Sequence, residues 1–480
     1  MPSINRVYQL RIETLSPLCV LSGSRLYEQV DFYTDRETTY VFNSDAVLDL
    51  VLQRWLERQP SREQQLARLA EREERLQRRK QKNIEDIKRF EASPPKDPRK
   101  AQEMEQRLIA EAKEIKEGLA RLKAERSSLE TESTTVVVPP ELLQNSGIGD
   151  LLKTGLLTVD DLRTVPGLLR YSYSGRPEVK SGQSEILACV KDPVDRLYLP
   201  GSTLKGALRT VLAWALAPER AARVLAQFAD ERDRRKAAAA IERNIFYGRK
   251  QSNDKLYERK QRHDKRVSHD LLRDVMRTVH LSDSQPVCQN PLLAQVRVFP
   301  RGSPITVEAV PDGVTFTAVL QIEQYPFTGQ IARSVIDFGD WAQQLQPARL
   351  AELGRQRARV LIEGEQTYFR QHPEAAAITR FYADLAERLA GLEGTNAFLL
   401  PIGWGAGWRS KTLDNLLREG NRETIFVQAV HRYNLKLHRQ RSQRFQAGDR
   451  FPDTRKLVMR NGQPWLPLGW VCLTIEERRV

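Results

Sequence analysis

From Val7 to Glu13 apolar and polar residues alternate with a period of two, which predicts a strand. Ser16-Pro-Leu-Cys-Val-Leu-Ser-Gly-Ser-Arg25 predicts a second short segment running into a glycine turn, and Val30 to Tyr33 with Thr39 to Asn43 read as a hairpin. With Asn43 or Ser44 as cap, Val47, Leu48, Leu50, Val51, Leu52 and Trp55 predict a helix to about Arg58, a β-β-β-α opening. The pattern then changes. Between Ser61 and Glu132 no glycine occurs until Gly118, and apolar positions fall near heptad spacing on two segments separated by Ser93-Pro-Pro-Lys-Asp-Pro98. This predicts an antiparallel helical hairpin inserted into the first domain, with Leu66, Leu69, Leu76, Ile84 and Ile87 facing Leu108, Ile115, Leu119, Leu122 and Leu129.

A short helix and polar loops around Ser172 to Arg176 and Lys180 to Ser184 are expected next. Tyr198-Leu-Pro-Gly-Ser-Thr-Leu-Lys-Gly-Ala-Leu-Arg209 reads as strand, glycine turn and first helical turn, with Ser202 and Thr203 as N-cap residues. Thr210-Val-Leu-Ala-Trp-Ala-Leu-Ala217 gives that helix an apolar body, and a second helical stretch follows to about Ile241. Strands are predicted at Val279 to Ser284, Val296 to Phe299, Thr306 to Val310 and Val314 to Ile322, the last two joined by the turn Pro311-Asp-Gly313. A helical region from about Val335 to Leu389 precedes the glycine-rich Gly403-Trp-Gly-Ala-Gly-Trp-Arg-Ser-Lys-Thr412, and Thr454 to Val458 and Pro467 to Ile475 read as closing strands. The fold class is α+β, organised as residues 1–60, the insertion 61–132, 133–330 and 331–480.

Charge changes the picture. The 480 residues carry a formal net charge of +14, with 40% apolar residues. That balance points first to nucleic acid and second to an anionic membrane surface, with plain solubility as the alternative. The hairpin holds 19 basic and 16 acidic residues, so the excess lies elsewhere, and a solvated spacer or protein-docking arm suits it better than a nucleic-acid arm. Arg243 to Arg277 holds 11 basic and 5 acidic residues, and His431 to Arg460 holds 9 basic and 2 acidic. Clustering of this kind favours RNA phosphates, although the first of these segments also fits a surface loop without function.

Two segments are candidates for phosphate and base contacts. In the first, backbone N–H groups at a helix start attract anions, and Lys205 and Arg209 share a helix face; an ordinary capped helix reads equally well. The G-x-x-x-x-G-K-[ST] spacing is absent, which argues against nucleotide hydrolysis. In the second, Trp404 and Trp408 can stack on bases while Arg409 and Lys411 hold phosphates, or the tryptophans pack as core over a glycine turn. Cys19, Cys189, Cys288 and Cys472 stand far apart, and His263 and His269 lack partners at metal-ligand spacing, so neither a disulfide framework nor a zinc site is expected. No apolar run approaches the roughly 18 residues that span a bilayer, and a cytoplasmic protein is expected.

Together these segments resemble the RAMP superfamily of CRISPR effector subunits, most closely the fifth Csm subunit of type III-A complexes, a kind also found in type III-D. Leu15 to Gly23, Leu199 to Arg209, Leu271 to Ser284, Gly403 to Trp408, and Asp453 to Val458 with Leu468-Gly-Trp470 carry the resemblance, in the family's order. The stretch 61–132 falls outside it, and Cys19-Val-Leu replaces the usual His-Ile-Gly. The resemblance implies a ferredoxin-like, RNA-recognition-motif-like core that caps the tail of a filament of related subunits. Such a subunit holds the 3′ part of the CRISPR RNA and helps define its mature length through outside nucleases. It implies RNA contacts at Gly201, Ser202, Thr203, Lys205, Gly206, Arg209, Arg273, Arg277, Gly405, Gly407, Trp408, Arg409, Lys411 and Arg455. The implied partners are CRISPR RNA, target RNA, the other effector subunits, above all the RAMP backbone subunit, and host nucleases, with no membrane and no cofactor. An alternative is that the chain itself cuts RNA with Mg2+ and a loop aspartate, Asp31 or Asp35 by chain position. A third is a protein-docking module acting through the hairpin.

Overall fold

The computed structural model describes residues 5–58, 60–131, 147–180, 183–250, 272–418, 422–435 and 445–477. The main elements begin with strands β1 (Asn5–Thr14), β2 (Leu21–Tyr27), β3 (Phe32–Asp35) and β4 (Thr38–Phe42), then helices α1 (Ser44–Arg58), α2 (Arg62–Ala92) and α3 (Pro98–Thr131). Next come β5 (Leu169–Ser174), β6 (Gln183–Cys189), α4 (Gly201–Arg220), α5 (Arg234–Phe246), β7 (Val279–Leu281), β8 (Leu292–Phe299), β9 (Pro304–Ala309) and β10 (Thr315–Glu323). Helices α6 (Pro347–Phe369) and α7 (Ala376–Ala390), strand β11 (Ala397–Pro401), helix α8 (Glu423–Arg432) and strands β12 (Arg455–Arg460), β13 (Gln463–Pro467) and β14 (Trp470–Glu477) complete the chain. Two compact units result, residues 1–41 with 169–480, and residues 42–168. The second therefore begins at Phe42 and holds α1 and the segment 147–168 along with the expected hairpin.

The first unit is built on an antiparallel sheet in the order β11-β14-β1-β10-β7. Alternation in β1 places Leu10 and Ile12 inward, where they share a core with Phe316 and Leu320 of β10 and Leu473 of β14. The apolar stripe of α4, Leu204, Leu208, Val211, Leu212 and Leu216, is buried in the same core. Helix α6 closes on β11 so tightly that a Cβ on Gly354 would lie 2.2 Å from the Phe398 ring. A second sheet runs β13-β12-β8-β9-β6-β2, in which only the β9–β6 pair is parallel. Asn461 (φ 51°) and Gly462 (φ 75°) make the two-residue turn between β12 and β13, so the chain closes with three strands where two were expected.

The polar loops expected near residues 172 and 183 are instead strands β5 and β6. The reason is a buried charge. Glu308 on β9 is fully buried; it accepts hydrogen bonds from Lys191 Nζ (2.6 Å), Tyr171 Oη (2.8 Å), Tyr173 Oη and the Cys189 backbone N–H (2.7 Å). The two tyrosines turn inward at alternate positions to satisfy it, as burial of a carboxylate demands. Burial, reinforced by the Glu308 charge, pushes the Cys189 thiol up to about 12.

In the second unit Ser61 caps α2 with a reciprocal bond to Gln64. Glu73 pairs with Arg126 and Arg79 with Glu111, while Asn83 donates to the Leu108 carbonyl, so the partners run in opposite directions along α2 and α3. Leu69, Leu108 and Ile115 are buried as expected, but Ile84 is 37% exposed and Asn83 takes the buried position. Leu69, Leu76 and Asn83 lie seven residues apart, so the seam follows the heptad through the asparagine. Arg54 grips Asp161 with two hydrogen bonds of 2.6 and 2.7 Å. Among the described residues no helix is long and apolar enough to cross a membrane.

Candidate nucleic-acid interface

The segments singled out in sequence interlock in two groups within the first unit. In one, the chain after β7 braces the start of α4: Asp283 accepts from the Gly201 N–H (2.8 Å), and Ser284 exchanges two bonds with the backbone of Leu199. One helical turn pair further on, Arg209 donates to Asp274 (2.8 Å) and Glu242 (3.3 Å) and lies 4.0 Å from the Phe246 ring centroid. In the other, Trp404 donates its N–H to the Cys19 carbonyl (2.6 Å), Ile402 and Gly469 bond backbone to backbone (2.8 Å), and the Trp470 N–H reaches Ser16 Oγ (3.0 Å). A Cβ on Gly403 would lie 2.4 Å from the Cys19 carbonyl oxygen, and one on Gly405 2.4 Å from Leu468. Glycine is required there by packing between protein segments.

Arg357 of α6 joins the two groups. It is 4% exposed, and its guanidinium donates to the carbonyls of Thr210 on α4 and of Arg409 and Ser410 after the glycine loop. Loss of solvent pulls its pKa down to about 10, with Asp414 opposing, so it stays charged at neutral pH. Nothing in the sequence marks Arg357 among the arginines of α6, of which Arg355 is buried as well.

The helix start corrects one expectation. Ser202 and Thr203 are not caps: the N-cap is Pro200, and α4 begins at Gly201. Asp283 already holds the first N–H and complements the helix dipole, and the Thr203 N–H bonds to the Pro200 carbonyl. A Cβ on Gly201 would sit 2.3 Å from the Leu281 carbonyl oxygen, whereas one on Gly206 would meet nothing within 4 Å. Ser202 and Gly206 are exposed, and Lys205 is half-buried without an ion pair among the described residues. Burial pulls the Lys205 pKa below its ordinary value, partly offset by Asp274.

The other predicted contacts divide in the same way. Arg273 donates to the Gly248 carbonyl (3.0 Å) and Arg277 to that of Leu272 (2.7 Å), so both hold backbone. Arg455 pairs with Glu365 (2.6 Å) and covers the Tyr368 ring at 4.1 Å. Arg409 is drawn over Gly364, where a Cβ would lie 2.5 Å from its Nη1, and its Nε is buried without a partner. Burial lowers its pKa. Gly407, Trp408 and Lys411 are exposed, and Lys456 lies 4.8 Å from the Trp404 ring centroid. The basic loop 251–271, with His263 and His269, and residues 436–444 lie outside the described residues. Asp31 accepts from the Tyr27 N–H (2.8 Å) in its own turn, and Asp35 ends β3. No group of three or more His, Cys, Asp and Glu side chains suited to a metal ion occurs among the described residues.

Comparison with known proteins decides the family. The model of the RAMP superfamily matches residues 11–318. The chain belongs to the RAMP superfamily. Its curated relatives include the CRISPR system Cms protein Csm5 of Mycobacterium tuberculosis, matched in two strains at 30% identity over 239 residues, 48% of this chain and 52% of the relative. This RAMP chain thus spans about half the length of the curated relatives it matches. Among solved structures it is similar to a chain in the cryo-EM structure of a Csm–crRNA–target RNA ternary complex of a type III-A system, with TM-score 0.53, 20% identity and coverage of 98% of this chain and 100% of that one. The crystal structure of T. onnurineus Csm5 is also similar, with TM-score 0.51, 16% identity and coverage of 96% and 99%. At these identities the likeness is one of fold.

Proposed function

We propose that this RAMP protein is the Csm5-type subunit of a type III CRISPR effector, binding the 3′ part of the guide RNA at the end of the backbone filament without cutting it. The observation that carries this reading is the convergence of the family's segments on one braced surface, tied through Arg357, that leaves Gly206, Gly407, Trp408 and Lys411 exposed and Lys205 half-buried while Arg209, Arg273, Arg277 and Arg455 are engaged in protein. Lysines beside open backbone suit phosphate, and an exposed tryptophan suits a base. The strand order β14-β1-β10-β7, with α4 between β1 and β7 and α6 between β10 and β14, supports a ferredoxin-like core. On this reading α2 and α3 are an antiparallel hairpin that serves as a spacer or docking arm, and the RAMP backbone subunit and target RNA are partners in the assembled complex, in the cytoplasm. The test is the guide isolated from complexes carrying wild-type chain or Lys205→Ala/Lys411→Ala. A shortened or ragged 3′ end with normal subunit content supports the proposal; an unchanged guide opposes it.

A further inference from the structure

Between α4, α5, the turn at Trp408 to Leu413 and α8 lies a groove of about 500 Å3. Its floor is apolar, with Phe228, Ile241 and Phe426 among its walls, and its volume falls within the roughly 300–1,000 Å3 typical of ligand sites. Its rim is cationic. Arg234, Arg235 and Lys411 are exposed there and make no ion pair among the described residues. The two acids at its edge are engaged, Glu242 with Arg209 and the buried Asp414 with the Thr412 hydroxyl. The rim therefore complements a polyanion.

We propose that this groove receives unpaired bases of single-stranded RNA, with Arg234, Arg235 and Lys411 holding the flanking phosphates and Trp408 closing one end. The charge complementarity selects RNA, and the apolar, aromatic floor selects unstacked bases over a duplex, whose bases are inside. The inference rests on the RNA-binding reading above and adds the subsite: the surface carrying Lys205 and Lys411 tracks the backbone, and the groove accommodates bases that leave the stack.

The experiment uses the assembled complex with the guide carrying 4-thiouridine at successive positions near its 3′ end. Ala238 is exposed on α5 and lines the groove, so Ala238→Trp fills the space from outside the core. The expected result is a position-specific crosslink to the groove, abolished by Ala238→Trp together with a loss of guide affinity of about tenfold, the scale of one or two lost base stacks. A milder variant, Arg234→Ala/Arg235→Ala, keeps the cavity open and should weaken binding with a shallower salt dependence. If Lys205→Ala/Lys411→Ala weakens guide binding while Ala238→Trp leaves both crosslink and affinity unchanged, the groove proposal fails and the RNA-binding reading stands. If neither variant changes guide binding, both fail. If Ala238→Trp ejects a protein subunit with guide affinity unchanged, the groove takes an acidic peptide and the proposal is overturned.

Discussion

The two glycine-bearing segments, 201–209 and 403–411, are alike in composition and alike in how the fold divides their residues. Each has glycine held against neighbouring protein, Gly201 against Leu281 and Gly403 and Gly405 against Cys19 and Leu468, and each has one glycine whose Cβ would meet nothing, Gly206 and Gly407. Each has an arginine drawn into the protein, Arg209 by Asp274 and Arg409 over Gly364, and a lysine without an ion pair among the described residues, Lys205 and Lys411. The helical unit differs from both: its charges are balanced and face one another, as in Arg75–Glu71, Arg78–Glu74 and Arg79–Glu111. The lesson is that basic composition locates a surface but not its contacts. Within these two segments the forked guanidinium is captured by protein during folding, and the lysines are what remain for a partner.

The comparison can be broken most severely at its joint. Arg357→Met removes three hydrogen bonds to buried or part-buried carbonyls and should cost about 3–5 kcal/mol by urea denaturation, since each orphaned group carries a desolvation penalty of about 1–3 kcal/mol. A loss under about 1 kcal/mol would mean that the two segments are held together by something else. Gly201→Ala should cost about 1–3 kcal/mol, because the added methyl meets the Leu281 backbone at 2.3 Å.

The helical unit supplies an effect of another sign in pH. The Arg54 guanidinium, with Thr158 assisting against the cost of burial, holds the Asp161 carboxyl well below the usual carboxylate range. A depressed carboxylate contributes stability that is fully present above its unfolded pKa, about 4, and is lost progressively as pH falls from there through the much lower folded pKa. Asp161→Asn should therefore lower stability by about 1–2 kcal/mol at pH 7 and by less at pH 3, where the unfolded carboxyl is protonated but the folded one still holds its charge, read by thermal melts at both values.

The smallest expected effect separates packing from recognition. Gly206 sits inside α4 with open space beside it, so Gly206→Ala should stabilise the free chain by about 0.5–1 kcal/mol. If the guide lies along α4 as proposed, the same methyl should weaken guide binding in the complex. Stabilisation with unchanged guide binding would remove Gly206 from the interface.

The sequence made the first sheet legible because β1 and β10 alternate cleanly over their full length. The two long helices α2 and α3 followed from their heptads, although Asn83 was hidden because an asparagine at a seam position looks like a polar face. Strands β5 and β6 were not legible: their inward residues include Tyr171 and Tyr173, whose partner Glu308 lies more than a hundred residues away. The Asn461-Gly462 turn was legible in principle as the strongest short hairpin signal. At the interface the segments were readable as motifs, but the allocation of each charge was not. Asp274, Glu242, Glu365 and Gly364 decide which arginines are occupied, and none of them is near its partner in the chain by a period that sequence alone exposes.

The most direct test of the central claim is the salt dependence of guide-RNA affinity for complexes carrying wild-type chain or Lys205→Ala/Lys411→Ala. If these two lysines neutralise guide phosphates, the slope of log affinity against log salt should become shallower by about 1.4, at about 0.7 per phosphate on a single strand, with the fold stability unchanged. An unchanged slope and affinity in a stably folded double variant would contradict the account, because it would place the guide on other residues.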